Sequence, residues 1–284
     1  MSSLPRLSQA TAALTQHIEV IDEHGARRRL SIPAERALTV YVDKHELVTL
    51  MTLGAAPELL VLGYLRNQRL ASGPEQIASI TVDWEVGAAA VRTQGGLPDY
   101  AARTARRVVT TGCGQGTVFG SLMHELDRID LPSAQEARIS QRALMALLEA
   151  MRQQESTYRS AGSVHGCALF RIGGDSAELL SFVEDVGRHN AIDTIAGGMW
   201  MNGISARNTA FYTTGRLTSE MVIKSAQMGV PIVVSRSGIT QMGHALAQRL
   251  GLALFGRAVN RHFIAYTGFD RFDAQPEPES AATN

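Results

Sequence analysis

The sequence predicts an α/β protein: a sheet that is largely parallel at its centre, covered by helices on both faces, and preceded by a smaller α+β lobe. Three observations predict it. From residue 164 onward, short apolar runs alternate with segments of helical spacing, the pattern of β–α steps around a buried sheet. Before residue 108, β-rich runs surround a single helical segment. Hydrophobic residues make up 45% of the 284 and charged residues 19%, which suits a globular chain with a sizeable core.

Residues 1–20 are polar and rich in Ser, Thr and Ala, and read as a flexible tail. The small α+β lobe is expected over 21–108. In it, "ALTVYVDKHELVTLMTL" (37–53) places two β-rich runs around "DKHE", a hairpin. "APELLVLGYLRNQRL" (56–70) switches to helical spacing, with Leu59, Leu60, Gly63 and Tyr64 on a shared side. "IASITVDWEVGAAAVRT" (77–93) returns to strand composition. Residues 109–131 read as a cysteine-bearing loop and 132–270 as the larger α/β domain. "PSAQEARISQRALMALLEAMRQQE" (132–155) reads as a helix whose stripe of Ile139, Leu144, Leu147, Leu148 and Met151 faces the core. "VHGCALFRI" and "AELLSFVED" follow as strands and "HNAIDTIAGGMWM" as a helix. "TAFYTT", "VPIVVSR", "LALFGRA" and "RHFIAYTG" are further strands, with "LTSEMVIKSAQMG" and "ITQMGHALAQRL" as helices between them. Ligands of such sheets collect at the loops beyond the strand ends. Residues 271–284, ending "DAQPEPESAATN", read as a disordered tail.

Twenty-seven basic and 27 acidic residues balance, so nothing advertises a nucleic-acid or anionic-membrane partner. No apolar run approaches the ~18 residues of a membrane span. The stretch "MSSLPRLSQATAALTQHIEV" has no apolar core of a signal peptide. Two cysteines allow at most one disulfide, so a reducing cytoplasm is the simplest compartment.

Four stretches carry candidate chemistry. "TTGCGQGTVFG" (110–120) sets Cys113 between glycines, which leave a sulfur uncovered and the backbone free to turn. A reactive thiolate gains from nearby positive charge, and Arg103, Arg106 and Arg107 lie just upstream. Local sequence leaves two readings open, a thiol that must be reached or an inert loop cysteine. Position 116 is Gly, so there is no C-x-x-C redox pair. A structural zinc site needs four Cys/His ligands, and His165 with Cys167 supplies one pair only. Cys167 lies in the apolar run "CALF" and reads as a buried packing residue.

The second stretch is "VEDVGRHNAIDTIAGG" (183–198). A strand ends in Glu184-Asp185, Gly187 turns the chain, and Arg188-His189-Asn190 open a helix on which Asp193 falls four residues after His189. Charges packed into such a turn need partners or a ligand; a satisfied polar network and a binding site both fit. The third, "TTGRLTSEMV" (213–222), puts Gly215-Arg216 at a strand end, suited to an anion, with Thr218 and Ser219 as helix caps. The fourth, "LFGRAVNRHFIAY" (254–266), puts Arg257 and Arg261 around a loop between two strands.

In order and spacing, "GSVHGCALF", "EDVGRHNAID", "TGRLTSEMV" followed by "GVPIVVSRS", and "LGLALFGR" resemble the FdhD/NarQ family of formate dehydrogenase accessory sulfurtransferases. "LVTLMTLGAAPELLVLGYLRNQRL" extends the resemblance, which spans roughly residues 30–270. It implies a cytidine-deaminase-like, three-layer C-terminal domain, although the H-x-E and P-C-x-x-C zinc signature is missing and no metal ligands or zinc are expected. It implies a cytoplasmic homodimer that takes persulfide sulfur from a cysteine desulfurase and passes it to the molybdenum (or tungsten) bis-molybdopterin guanine dinucleotide cofactor of formate dehydrogenase. Cys113 is then the catalytic sulfur, and Gly116 stands where many members have a second loop cysteine. The family's cofactor segment falls on Phe255, Gly256, Arg257, Ala258, Val259 and Asn260. Asp185, Arg188, His189, Gly215 and Arg216, with His165 at the border, are expected to line one cofactor cleft facing the Cys113 loop. The alternative reading is a non-catalytic chaperone that binds the cofactor without moving sulfur; a deaminase-type hydrolase is disfavoured by its missing ligands.

Overall fold

A computed structural model describes residues 4–96, 129 and 131–275. The first part of the chain contains β1 (Arg6–Leu7), β2 (Thr15–Ile21), β3 (Arg27–Pro33), β4 (Arg36–Val42), β5 (His45–Thr52), α1 (Pro57–Asn67), β6 (Ile77–Asp83) and β7 (Ala88–Thr93). Among the described residues, five of these strands form a sheet in the order β1-β6-β7-β4-β5. The β4–β5 hairpin turns through Asp43 and Lys44, both at positive φ (45° and 74°), the two-residue geometry whose twist matches the flanking strands. Leu38, Val40, Ile80, Val82, Ala89 and Val91 line its buried face, and α1 covers them with Leu60, Val61 and Leu65.

The tail expected over 1–20 contains β2 instead. Gln16, Ile18 and Val20 alternate along it and pair across the ribbon with Ile32, Leu30 and Arg28 of β3. Its period of two is real but lies in a polar setting, which hid it. At the other end Phe272–Asp273 forms β15 within the expected tail, pairing with β8 (Ile139–Ser140). That strand also shortens the helix expected over 132–155. Helix α2 (Gln141–Gln153) begins where the Ser140 side chain accepts from the Ala143 amide, a local N-cap that composition did not single out.

The remaining elements are α3 (Thr157–Ala161), β9 (His165–Gly173), β10 (Ser176–Asp185), α4 (Arg188–Met201), β11 (Thr209–Thr213), α5 (Ser219–Gln227), β12 (Ile232–Ser235), α6 (Gln241–Leu250), β13 (Ala253–Val259) and β14 (His262–Thr267). The sheet order is β10-β9-β11-β12-β13-β14, with β11, β12 and β13 parallel and the outer pairings antiparallel. Strand alternation divides its side chains. Cys167, Leu169, Phe211, Val233 and Leu254 pack with α4, α5 and α6. Ala168, Phe170, Tyr212, Val234 and Phe255 pack with α2 on the opposite face. Mixed α/β architecture with a parallel centre and helices on both faces is therefore present as expected.

The two sheets are joined through α1 and α4, which meet glycine to glycine. A Cβ on Gly63 would lie 1.6 Å from the Asp193 carbonyl oxygen, and one on Gly197 would lie 2.0 Å from that of Leu59. Such backbone approach lets Asn67 of α1 donate to Asp193 at 2.7 Å, while Lys224 of α5 pairs with the same carboxylate at 2.7 Å. Arg66 donates to the carbonyls of Ala196 within α4 (2.9 Å) and Met228 at the end of α5 (3.3 Å), and burial lowers its pKa to about 10. Among the described residues no helix is long and apolar enough to cross a membrane.

Candidate functional site

The parallel strands β11, β12 and β13 end at one edge of the sheet. Because β9 and β10 run antiparallel, β9 begins and β10 ends at that same edge. The turns there are knitted together. Arg236 N–H donates to Thr213 C=O at 3.0 Å, Ser235 Oγ donates to Gly215 C=O at 2.7 Å, and Arg257 N–H donates to Ser237 C=O at 2.7 Å. Arg257 sits at φ +50° in an irregular stretch of the β13–β14 pairing, between Gly256 and Val259. Gly256 is required there: a Cβ would meet the Tyr266 ring at 2.8 Å and the Ser237 carbonyl at 3.1 Å.

A cavity of about 610 Å³ opens at this edge. Its sheet wall is His165, Tyr212, Thr214, Arg236, Ser237 and Ala258–Asn260, and α2 and α3 supply Leu148, Met151, Arg152, Tyr158 and Arg159. Phe182 and Glu184 of β10 close one side. Glu184 accepts from the amides of Thr157 (2.5 Å) and Tyr158 (3.2 Å), so the end of β10 holds the first turn of α3 over the cavity. His165 Nδ1 lies 3.2 Å from Thr214 Oγ1, which accepts from the Gly166 amide at 3.1 Å. Burial lowers the His165 pKa, and the charges of Arg188 and Arg216 lower it further. The neighbouring Tyr212 hydroxyl is pushed up to about 12 by burial, against the pull of the Arg236 charge.

Behind the sheet, on the α4 side, lies a buried polar network. Asp185 accepts from the Thr52 hydroxyl, the Leu53 amide (3.2 Å), the Gly187 amide (3.1 Å) and Asn190 Nδ2 (2.9 Å). Burial holds its carboxyl above the usual range despite these donors. Asn190 Nδ2 also donates to Met51 C=O at 2.6 Å, so the turn at 185–190 is tied to the end of β5. His189 Nε2 faces Glu220 at 3.2 Å. Arg188 lies over Gly215, where a Cβ would come within 2.5 Å of its Cδ. The Cys167 thiol is fully enclosed, donates to Thr213 Oγ1 at 3.3 Å, and is raised to about 12 by burial.

Of the sequence-predicted residues, His165, Ala258, Val259 and Asn260 line the cavity. Asp185, Arg188, His189 and Gly215 belong to the buried network, and Arg216 and Arg257 are exposed at the same sheet edge. Phe255 is fully buried in an edge-to-face cluster with Phe263 and Phe272, at centroid distances of 5.8 and 5.2 Å. Cys113 lies outside the described residues. Sequence reasoning passed over Tyr158, Tyr212, Arg236 and Ser237. "SRS" after "VPIVV" repeats the strand-end arginine seen at 216 and was the available signal for Arg236.

Comparison with known proteins adds four findings. The model of the FdhD/NarQ family matches residues 33–273. A relative named sulfur carrier protein FdhD, from Bacillus subtilis strain 168, is 32% identical over 241 residues, covering 84% of this chain and 88% of its own. One of the same name from Listeria monocytogenes serotype 4b strain F2365 is 29% identical over 241 residues, covering 85% and 91%. The crystal structure of a proposed formate dehydrogenase accessory protein from Desulfotalea psychrophila shares the fold, with a TM-score of 0.70 and 24% identity over 91% of this chain and 98% of that one. The match reaches from the end of β3 to β15 and takes in the first sheet except β1, the whole second sheet, the cavity edge and the buried network: this chain belongs to the FdhD/NarQ family.

Proposed function

We propose that this chain carries sulfur, as a persulfide on Cys113, from a cysteine desulfurase to the molybdenum (or tungsten) bis-molybdopterin guanine dinucleotide cofactor of formate dehydrogenase. The observation that carries the reading is the burial of Cys167. A sulfur shuttle needs a thiolate that two different proteins can reach, and a fully enclosed thiol raised to about 12 is neither ionised nor accessible. The sequence has two cysteines, so the carrier sulfur is that of Cys113, set between glycines. The relatives' name, sulfur carrier protein, supports the same role.

In the loading step the Cys113 thiolate attacks the outer sulfur of the donor's persulfide. A new S–S bond forms as the old one breaks, and the donor cysteine leaves as thiolate, so no oxidant is consumed. Gly116 in place of a second loop cysteine keeps the sulfur on one thiol. We read the six-stranded sheet and its two helical layers as the cytidine-deaminase-like core, and the protein as a cytoplasmic homodimer. The guanine dinucleotide is assigned to the edge where Arg216, Arg257 and Ala258–Asn260 lie. Phe255 contributes to the core beneath that edge.

The test is incubation with a cysteine desulfurase and cysteine, followed by mass spectrometry of the peptide containing Cys113. A carrier gains the mass of one sulfur there, removable by reductant. A protein that binds guanine nucleotide yet takes up no sulfane sulfur is a cofactor chaperone, and the proposal fails.

A further inference from the structure

We infer that α3 is a movable cover over the cavity, that Glu184 is the latch holding it shut, and that Gly162 and Ser163 are its hinge. The cover rests on geometry alone. That it paces a ligand's entry and exit rests on the reading that the cofactor's nucleotide sits at this edge.

What holds α3 in place differs from what holds the other helices. None of its five residues, Thr157–Ala161, is buried, so it gives no side chain to a hydrophobic core. Its position comes from polar contacts instead. Glu184 accepts from the Thr157 and Tyr158 amides, one carboxylate oxygen to each, and Arg159 donates to the Arg152 carbonyl of α2. The bonds from the Arg159 amide to Ser156 (3.2 Å) and from the Gly162 amide to Tyr158 (2.9 Å) are internal to the turn and travel with it. The latch, by contrast, is fixed. Glu184 lies opposite Gly166 in the β9–β10 pairing and beside Asp185, whose donors tie that strand end to Thr52, Leu53 and Asn190. A segment held by one carboxylate can leave the sheet without exposing apolar surface, which a helix with core side chains cannot do.

There is room on both sides of it. Tyr158 and Arg159 line the cavity of about 610 Å³. Thr157 and Ser160 line a second space of about 630 Å³, whose other walls include Leu14, Thr15, Ala55 and Ala56. So α3 is a partition between two voids. Its neighbour from the first part of the chain is β3, whose ribbon with β2 joins no other strand among the described residues.

The hinge is written in the backbone. Gly162 closes α3 at φ +64° and ψ −164°, a combination reserved to glycine, and Ser163 follows at φ +51°. A Cβ on Gly162 would meet nothing within 4 Å, so glycine serves the backbone there and not the packing. Two such residues between α3 and β9 can absorb a change of direction while the strand stays in its sheet.

The experiment combines hydrogen exchange of the full chain with stopped-flow binding of GDP. The variants are Glu184→Ala, Glu184→Gln and Ala55→Trp, the last filling the space into which α3 would retreat. Glu184→Ala should speed exchange within residues 157–161, and both association and release of GDP, by roughly tenfold, with Glu184→Gln intermediate. Ala55→Trp, which leaves the latch untouched, should slow exchange in α3 and both rates several-fold. In each variant Kd should move much less than either rate. Thermal melting and unchanged exchange in α2 and β9 confirm that the rest of the fold is intact. The inference is overturned if α3 exchange is the same in all variants, if Ala55→Trp acts in the same direction as Glu184→Ala, or if only one of the two rates moves. If GDP does not bind wild type, the nucleotide reading of this edge fails and exchange alone decides the cover. Opposite shifts in Glu184→Ala and Ala55→Trp then keep it, and any other result removes it.

Discussion

Cys167 and Thr213 are register partners across β9 and β11, and the thiol of the first lies 3.3 Å from the hydroxyl of the second. This pairing separates the two cysteines chemically. Thiol alkylation of the native protein at pH 8 should modify Cys113 and leave Cys167 untouched until denaturant is added. Cys113→Ser should abolish formate dehydrogenase maturation in a protein that melts as wild type. Cys167→Ala should retain maturation at a stability cost of about 1–2 kcal/mol. Maturation by Cys113→Ser, with loss of it in a stable Cys167 variant, would assign the sulfur to the wrong residue.

The α1–α4 crossing allows no side chain at two positions. Gly63→Ala and Gly197→Ala force backbone atoms apart and should each cost ~3 kcal/mol or more. Gly198→Ala is the control, because its Cβ meets only Leu59 Cδ1 at 3.9 Å. There the gain in helix propensity should leave the melting temperature level or raise it. Chemical denaturation of the three variants decides the point.

Two rungs link α4 to α5: His189 with Glu220, and one turn further along, Asp193 with Lys224. The second is completely enclosed. Lys224→Met should destabilise by about 3–5 kcal/mol because it strands a buried carboxylate. Adding Asp193→Asn to it should recover a good part of that loss, and a double-mutant cycle measures the coupling.

His165 holds its proton less readily in the folded chain than in the unfolded one, first through burial and then through Arg188 and Arg216. Its contribution to stability is therefore present above the ordinary value of 6.5 and is lost as pH falls through the lower folded value. His165→Gln should flatten the acid side of the stability profile. Arg216→Ala should move the imidazole titration upward when followed by NMR, and an unmoved titration would mean that the Arg216 charge does not reach the cavity wall.

Phe255 and Arg257 are two residues apart and should fail in different ways. Phe255→Ala removes a ring from a buried aromatic cluster and should cost ~3–5 kcal/mol in stability. Arg257→Ala touches only an exposed side chain at positive φ and should leave melting nearly unchanged while weakening GDP roughly tenfold. Calorimetry and melting on the same preparations separate the two.

Much of the architecture was readable because its signals are local. The β4–β5 hairpin, α1 and the alternating elements after residue 164 all follow from short-range period and composition. Phe255 shows where that reading stops. Ala253, Leu254, Phe255 and Gly256 are all buried, since β13 is covered on both faces, so no alternation tells which side chain faces the site. Asp185 shows a second limit: its partners are Thr52, the last residue of β5 in the other sheet, and Leu53 just beyond it, and no local pattern announces a link between residues 133 apart. Arg236 was missed for a third reason. Its place in the cavity wall comes from the neighbouring turns, which the strand order supplies and the chain order does not.

The glycine crossing also sets a timetable for synthesis. Helix α1 leaves the ribosome long before α4, and its last residue waits for a partner 126 positions downstream, the separation of Asn67 from Asp193. Until α4 emerges, the first sheet has α1 on one side and a groove of bare backbone at Gly63 where another helix belongs. A chain halted in that interval presents a docking surface shaped for its own unfinished half. Nascent chains arrested before residue 188 should therefore be cut readily by protease within α1, and those arrested after the end of β14 should resist.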